Sequence, residues 1–134
     1  MALVYEQNTD GVIVRVAPRF LPEESAPDNA RFVWAYSIEI VNCSADTVQL
    51  LSRYWRITDA NGHTQEVRGE GVVGEQPTLE PGEAFRYTSA APLATSAGMM
   101  LGAYTMVRTQ SGETFDVAVP AFALEPPHET RLAN

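Results

Sequence analysis

A glycine-rich segment is the part of this sequence whose residue types and spacing come nearest to a ligand-binding motif. Gly69, Gly71 and Gly74 form a G-x-G-x-x-G pattern, and Arg68 precedes the first glycine. In dinucleotide-binding proteins this pattern follows a strand and opens a helix, so that the helix N-terminus meets the pyrophosphate. Here two prolines lie within the next eight residues, and they disfavour a helix. The pattern predicts a loop between strands, with pyrophosphate binding by these four residues as the alternative.

Carboxylates around the same glycines suggest a second chemistry. Glu66, Glu70 and Glu75 flank the loop. Magnesium needs only one or two carboxylates together with water, so a divalent cation is a further candidate ligand for the 69–74 segment. The three carboxylates also repel a pyrophosphate, and Arg68 is the nearby cation that opposes them. The spacing identifies no metal ligands, and the identity of any metal site stays unknown.

The residues needed for catalysis are sparse. Two histidines, His63 and His128, and one cysteine, Cys43, stand at no recognised ligand or catalytic spacing. A soft metal such as cobalt would draw on imidazole or thiolate ligands, so direct cobalt capture is not expected. Because no base, nucleophile and stabilising group fall into a recognisable arrangement, we predict a protein that is not an enzyme and uses no cofactor.

Arginine and aromatic residues form a candidate docking surface for a partner protein. Arg53, Trp55 and Arg56 share one predicted strand, and Arg86 lies on another. Arginine and aromatic side chains are enriched at binding hot spots because they combine contact area with directed hydrogen bonds. The alternative interpretation places Trp55 in the core and leaves the arginines solvated.

Composition and charge narrow the class of partner. The chain has 134 residues and a net charge of −8, from nine arginines, no lysine and seventeen acidic residues. The electric field of this negative charge repels polyanions, so nucleic acid is not expected as a partner. A single cysteine excludes an internal disulfide, and the sequence shows neither a signal peptide nor a membrane-spanning run. We therefore predict a cytoplasmic protein that does not bind membranes.

Short alternating segments, about ten residues apart, predict an all-β fold. In residues 31–42, for example, Trp34, Ile38 and Ile40 share one face while Ser37 falls on the other. Seven antiparallel strands are predicted, over residues 12–16, 31–42, 47–59, 63–68, 84–89, 98–109 and 114–120. In the segment 98–109 both faces carry apolar residues, so both are expected to be covered.

This pattern predicts an immunoglobulin-like or fibronectin type III-like β-sandwich in one domain, residues 1–125. Residues 126–134 contain two prolines and are predicted to form a flexible tail. Oligomeric state depends on whether an edge strand is covered or pairs with a second copy, so a homo-oligomer is left open.

Several stretches resemble a known family. The segments TVQLLSRYW (47–55), ITDANG (57–62) and EVRGEGVVGEQP (66–77), followed by LEPGE (79–83), YTS (87–89) and the strand from Gly98 to Tyr104, are similar to the ApaG family. The resemblance runs from about Tyr5 to Leu124 and implies a fibronectin type III-like sandwich. It also implies an association with cobalt resistance and magnesium efflux. Related domains in eukaryotic F-box and polymerase-delta-interacting proteins are thought to contact other proteins.

Taken together, the residues and the resemblance predict a non-enzymatic β-sandwich module that binds another protein. The alternative is a small-ligand protein that uses the 69–74 loop for a nucleotide pyrophosphate or a divalent cation.

Overall fold

Residues 4–125 are described by the computed structural model of this chain, and they form strands with almost no helix. Two single-turn 3-10 helices, Pro22–Glu24 and Pro27–Asn29, lie between the second and third strands. The nine strands are β1 (Tyr5–Thr9), β2 (Val12–Phe20), β3 (Phe32–Asn42), β4 (Val48–Asp59), β5 (Thr64–Glu70), β6 (Thr78–Leu79), β7 (Ala84–Leu93), β8 (Gly98–Arg108) and β9 (Thr114–Leu124). The predicted tail 126–134, with His128, lies outside the described residues.

The strands form two antiparallel sheets. In the first sheet the order is β1-β2-β3-β7, and in the second it is β5-β4-β8-β9, with β6 paired to β4. The predicted all-β sandwich is confirmed. Within residues 4–125 no helix is long and apolar enough to cross a membrane.

The core lies between the two sheets, where side chains from both inner faces meet. In β3, Trp34, Tyr36, Ile38 and Ile40 are at most 6% exposed, whereas Ser37 is exposed on the outer face. This confirms the period of two read from the sequence, because successive side chains of a strand point to opposite sides of its sheet. Aromatic rings join the sheets: Tyr36 and Trp55 meet edge to face with centroids 5.2 Å apart.

The predicted count of seven strands was too low, and the ends of four strands were placed too early: β2 continues to Phe20 and β5 to Glu70. β1 is missed because both of its faces are largely polar and exposed, and β6 because it has only two residues. β7 and β9 continue through prolines to Leu93 and Leu124. Pro92 is tolerated because β7 is an edge strand, and Pro120 because it lies at a bulge opposite Leu101.

A β-bulge in β4 decides which of its residues face the core. The pairing with β8 shifts at Leu51, so the inward positions change from even to odd numbers. Leu50 is buried before the bulge and Trp55 after it. Arg53 therefore falls on the inner side of the sheet. The carbonyl of Leu51 accepts hydrogen bonds from Gly71 N at 2.9 Å and from Gln76 Nε2 at 2.8 Å.

A row of alternating charges crosses the outer face of the first sheet. Glu6, Arg15, Glu39 and Arg86 occupy paired positions on β1, β2, β3 and β7. Arg15 contacts Glu6 at 2.7 Å and Glu39 at 2.8 Å, and Arg86 contacts Glu39 at 2.5 Å. Hydrogen bonding to Arg15 is the main reason that the pKa of Glu39 is lowered. We call this row the charge ladder.

The two long edges of the sandwich differ. On one side β1 and β2 pack against β9: Ala123 N donates to Tyr5 Oη at 3.3 Å, and Ala118 N donates to Thr9 Oγ1 at 3.2 Å. This is the closed edge. On the other side β5 and β7 end the two sheets and approach each other less closely. This is the open edge, and the side chains behind it are accessible through a cleft.

Candidate functional site in the cleft between the sheets

A cleft enters the core from the open edge. It consists of two adjoining cavities of about 210 and 240 Å³. Tyr36, Arg53, Trp55 and Ser89 line both cavities, and the loop residues 72–74 close one end of the first. We call this space the inter-sheet cleft. Aromatic side chains contribute to its lining, which is more polar than apolar overall, and Arg53 is the one charged residue among those that line it.

Arg53 is held in the cleft by the glycine-rich loop. Its Nη1 donates to the carbonyl oxygens of Glu70 at 3.0 Å and Gly71 at 2.9 Å. The guanidinium lies against Gly69, where a Cβ atom would be only 2.8 Å from Nη2. A glycine at position 69 therefore makes room for this cation. No carboxylate of residues 4–125 lies within ion-pair distance of Arg53.

The other two glycines of the motif have backbone roles. Gly71 has φ +62°, and a side chain there would collide with the carbonyl oxygen of Glu75. Val73 and Gly74, with φ +44° and +81°, form a two-residue turn closed by hydrogen bonds between Val72 and Glu75. No helix follows the turn, as predicted; the chain continues to β6.

Most backbone polar groups of the glycine-rich loop form hydrogen bonds with other groups of the protein. Gly71 N donates to Leu51, while Val72 and Glu75 exchange hydrogen bonds with each other. Two carbonyls of the loop bind Arg53 rather than facing a ligand. Within residues 4–125, this leaves the N–H groups of Val73 and Gly74 without a protein partner. A pyrophosphate cradle needs a series of free N–H groups, so this geometry differs from the dinucleotide fingerprint.

Arg68 lies outside the cleft. Its guanidinium stacks over the ring of Tyr54 at 4.4 Å, and its Nη2 is 4.0 Å from Glu66. The Tyr54 hydroxyl donates to the same carboxylate, and this hydrogen bond is the main reason that the pKa of Tyr54 is raised. The structure therefore separates Arg68 from the cation at position 53, although both come near the glycine loop.

Two tyrosine hydroxyls form a hydrogen-bonded pair beside the cleft, where Tyr87 is partly buried and lines the first cavity. Tyr87 Oη and Tyr104 Oη are 2.6 Å apart, and Tyr104 is fully buried. Burial raises the pKa of both hydroxyls above the ordinary tyrosine value; for Tyr87, the hydrogen bond to Tyr104 and the charge of Arg53 oppose this effect. Both hydroxyls are therefore protonated at neutral pH.

The predicted docking residues do not share one surface. Trp55 is 3% exposed and packs in the core, so it cannot be an exposed anchor. Arg53 lies in the inter-sheet cleft, Arg56 on the outer face of the second sheet, and Arg86 on the outer face of the first. The prediction grouped residues that are adjacent in sequence. Successive side chains of a strand point to opposite faces, so Trp55 and Arg56 lie on different sides of the sheet.

The residues considered for metal binding or nucleophilic chemistry stand apart. The side chain of His63 is 82% exposed in the β4–β5 turn, and Cys43 is also exposed. Within the part of the chain that the structure describes, no three His, Cys, Asp or Glu side chains are grouped as metal ligands.

A second candidate surface lies on the outer face of the second sheet. Met99 and Leu101 of β8 are 50% and 40% exposed, so the expectation that both faces of this strand are covered was wrong. Thr58 and Arg56 of β4 and Ala123 of β9 are among their neighbours along a groove of about 520 Å³. We call these five residues the β8 patch. The alternation in residues 98–109 indicated apolar residues on both faces of this strand but did not predict an exposed patch.

Comparison with known proteins identifies the family of this chain. Residues 22–108 match the family described as the ApaG domain. The chain belongs to the ApaG family. Two similar curated relatives are both named Protein ApaG: one from Brucella canis is 51% identical and one from Methylorubrum extorquens 53% identical, each over 131 residues. Each alignment covers 98% of this chain and 100% of the relative. The resemblance seen in the sequence is thus confirmed.

Solved structures of the same fold include ApaG-like proteins. A Bordetella pertussis crystal structure described as an ApaA protein has a TM-score of 0.84 and 46% identity, covering 87% of this chain and 94% of that one. A second X-ray structure, a structural genomics target, has a TM-score of 0.81 and 41% identity, covering 87% and 88%. The C-terminal domain of wzt, at 9% identity and a TM-score of 0.50 over 94% and 85%, shows the fold alone.

Proposed function

We propose that this ApaG-family chain is a non-enzymatic module that binds a partner protein through the β8 patch. The observation that carries the proposal is the exposure of Met99 and Leu101, adjacent large apolar side chains on a face that no element of residues 4–125 covers. Large side chains exposed together mark interaction surfaces more often than isolated ones do. Methionine adds adaptability, because its unbranched side chain can fit irregular partner surfaces.

The charges around the patch indicate the chemistry of the partner. Asp59 and Glu125 line the groove together with Arg56. Partial burial raises the pKa of Asp59, but hydrogen bonds from the N–H groups of His63 and Asn61 outweigh this effect. The net pKa is lowered, so this carboxylate is charged at neutral pH. With a net charge of −8 in addition, the surface suits an apolar ridge flanked by basic residues. A second copy would bring the same negative charge, which opposes self-association.

The family's association with cobalt and magnesium then has an indirect explanation. The described residues contain no grouped metal ligands, and the one imidazole and the one thiol among them, His63 and Cys43, are exposed and separate. We propose that any role in cobalt resistance or magnesium efflux is exerted through the partner protein. The cytoplasmic location and the lack of enzymatic activity stay predictions within this proposal.

Site-specific photocross-linking in cells tests the surface directly. A benzophenone side chain at position 101 should cross-link to one partner protein, whereas the same group at position 4 should not. Val4 is a suitable control because it is 53% exposed and lies at the start of the other sheet. The cross-linked protein is then purified, and its affinity for the unmodified chain is measured by calorimetry.

Point variants complete the test. Leu101→Glu should weaken binding of the purified partner at least about tenfold, because a carboxylate would replace an apolar contact. Val4→Glu should leave the affinity unchanged. An equal affinity in Leu101→Glu, or cross-links from position 101 only to a second copy of the chain, would contradict the proposal.

A further inference from the structure

We propose that the inter-sheet cleft binds a small organic monocarboxylate, with the Arg53 guanidinium pairing with the carboxylate and the aromatic walls enclosing the apolar body. This site is separate from the β8 patch, because the cleft opens between the sheets whereas the patch lies on the outer face of the second sheet. The proposal therefore does not depend on the protein-binding function.

Arg53 differs from the other partly buried arginines of the described chain. Arg15, whose side chain is 38% exposed, contacts Glu6 and Glu39. Arg108, whose side chain is 21% exposed, lies near three carboxylates. Arg53 is also partly buried, yet it bonds only to two backbone carbonyls. Among residues 4–125 nothing neutralises its charge, although acidic residues outnumber arginines in the whole sequence by seventeen to nine.

The orientation of the guanidinium leaves donors for a ligand. Arginine has five N–H donors in a planar fork. The two hydrogen bonds to the loop both come from Nη1, so Nε and Nη2 have no protein partner among the described residues. This pair of donors matches the two oxygens of one carboxylate. The close contact with Gly69 keeps the fork in place.

The cleft has walls for an organic body beside the charge. Ile57, Val67, Ala91 and Pro92 line the second cavity, next to the aromatic residues shared by both. Ser89 contributes a hydroxyl to both cavities. The accessible lining of both cavities is nevertheless more polar than apolar, so it suits a small ligand that carries polar groups beside its ring. The two volumes, about 210 and 240 Å³, suit a molecule with one ring better than a nucleotide.

Charge favours a monoanion over a phosphate chain. One guanidinium balances one negative charge, and the protein's net charge of −8 repels each further one. The glycine-rich loop directs two carbonyl oxygens toward Arg53. Val73 forms part of the cleft wall with φ +44°, a conformation that is uncommon for a β-branched residue and often found at functional sites.

Nuclear magnetic resonance titration of the full chain provides the test. The probes are phenylacetate, 3-phenylpropionate and benzoate, each compared with its neutral amide, together with inorganic phosphate and ATP. At least one acid should shift the side-chain N–H resonances of Arg53 and Trp55 with saturation, at a dissociation constant of about 1 mM or lower. The amides, phosphate and ATP should bind at least about tenfold more weakly.

Three variants locate the binding. Arg53→Met should weaken binding of the best acid at least about tenfold, and Arg53→Lys should also weaken it because the fork is lost while the charge is kept. Ser89→Leu places a larger side chain in the cleft and leaves Arg53 itself in the sequence, so it keeps the test decisive if the Arg53 variants do not fold. Arg19→Met, which removes an exposed arginine of β2 that lines neither cavity, should bind like the parent protein.

Several results would overturn the proposal. These are equal binding of an acid and its amide, unchanged acid binding in Arg53→Met or in Ser89→Leu, stronger binding of ATP than of every acid, and no saturable shift with any of the three acids.

Discussion

The closed and open edges of this sandwich use similar side chains for different purposes. At the closed edge, tyrosine and threonine hydroxyls from β1 accept hydrogen bonds from the backbone of β9. At the open edge, Tyr36, Tyr87 and Ser89 surround a space instead of filling it. Packing to high density is the default in protein interiors, so an unfilled polar and aromatic cleft is the feature that needs a functional explanation.

Arg108 and Arg53 differ in the same way, because one contacts acidic side chains of the protein and the other does not. Arg108 joins three turns at one end of the sandwich: its side chain lies 3.9 Å from Asp10, 3.5 Å from Asp46 and 2.7 Å from Glu113. It also stacks over Phe115 at 3.9 Å. Arg53 has no such acidic partners within the described residues. Arg108 therefore connects turns of the protein, whereas Arg53 keeps N–H donors that no described residue uses.

The largest expected effect is a difference in unfolding free energy between a core substitution beside the closed edge and one beside the open edge. Phe122 is fully buried and its ring lies 6.1 Å from that of Tyr5. Phe122→Ala should cost about 3–5 kcal/mol of unfolding free energy. Phe85→Ala, on the partly buried edge strand β7, should cost about half as much or less. Urea denaturation measures both values, and equal losses would remove the energetic distinction between the edges.

Alkaline pH should act on the open edge through the Tyr87 and Tyr104 pair. Their pKa values are raised in the folded state, so above about pH 10 the unfolded chain releases protons that the folded chain keeps. Stability is therefore fully present below pH 10 and falls as the pH rises, by up to about 1.4 kcal/mol per pH unit for each tyrosine. Urea midpoints at increasing pH, with tyrosinate absorbance, measure this loss.

The matched control for that experiment removes one ionising group. Tyr87→Phe should be less stable than the parent at neutral pH by about 1 kcal/mol, because Tyr104 loses its hydrogen-bond partner. It should then lose less stability per pH unit above pH 10. The same slope in both proteins would show that this pair does not control alkaline unfolding.

Salt dependence should distinguish the two arginines. Arg108→Met should reduce the unfolding free energy by about 1 kcal/mol at low salt, and the loss should shrink at high salt because its three acidic partners are exposed. Any loss in Arg53→Met should be nearly independent of salt, since its partners are backbone carbonyls. Parallel urea titrations at low and high sodium chloride measure the difference; a salt-sensitive Arg53 would show an unrecognised acidic partner.

The smallest expected effect concerns the backbone at the mouth of the cleft. Val73→Asn should raise the unfolding free energy by about 0.5–1 kcal/mol, because asparagine tolerates positive φ better than a β-branched residue does. Val4→Asn, at a residue of similar exposure without positive φ, should have little effect. If thermal denaturation shows no gain for Val73→Asn, the turn does not store strain.

The sequence predicts the sandwich well because alternation is a local property. The buried face of β3 and the exposed position of Ser37 follow from the period of two alone. β1 could not be recognised in this way, since it is held by pairing with β2 and by contacts with β9 that lie more than a hundred residues away in sequence. Its stability is a tertiary property.

The site was harder to predict, for the same reason. The sequence indicates Arg53, Trp55 and the glycines as candidate site residues, but it assigns the first two to a docking surface and the glycines to a separate loop. Only the bulge at Leu51 and the pairing of β4 with β5 place Arg53 against Gly69. The opposite directions of Trp55 and Arg56 could have been read from strand periodicity. The cavity between β5 and β7 could not, because it depends on which strands end each sheet.

The charge ladder has a consequence for how molecules of this protein meet one another. It ends at Arg86, on a strand whose outer side has no neighbour within the described chain. If a second molecule added its own β7 antiparallel and centred on this position, two guanidinium groups would stand opposite each other and repel. The ladder therefore aligns four strands inside one molecule and disfavours a symmetric dimer through β7 in this register.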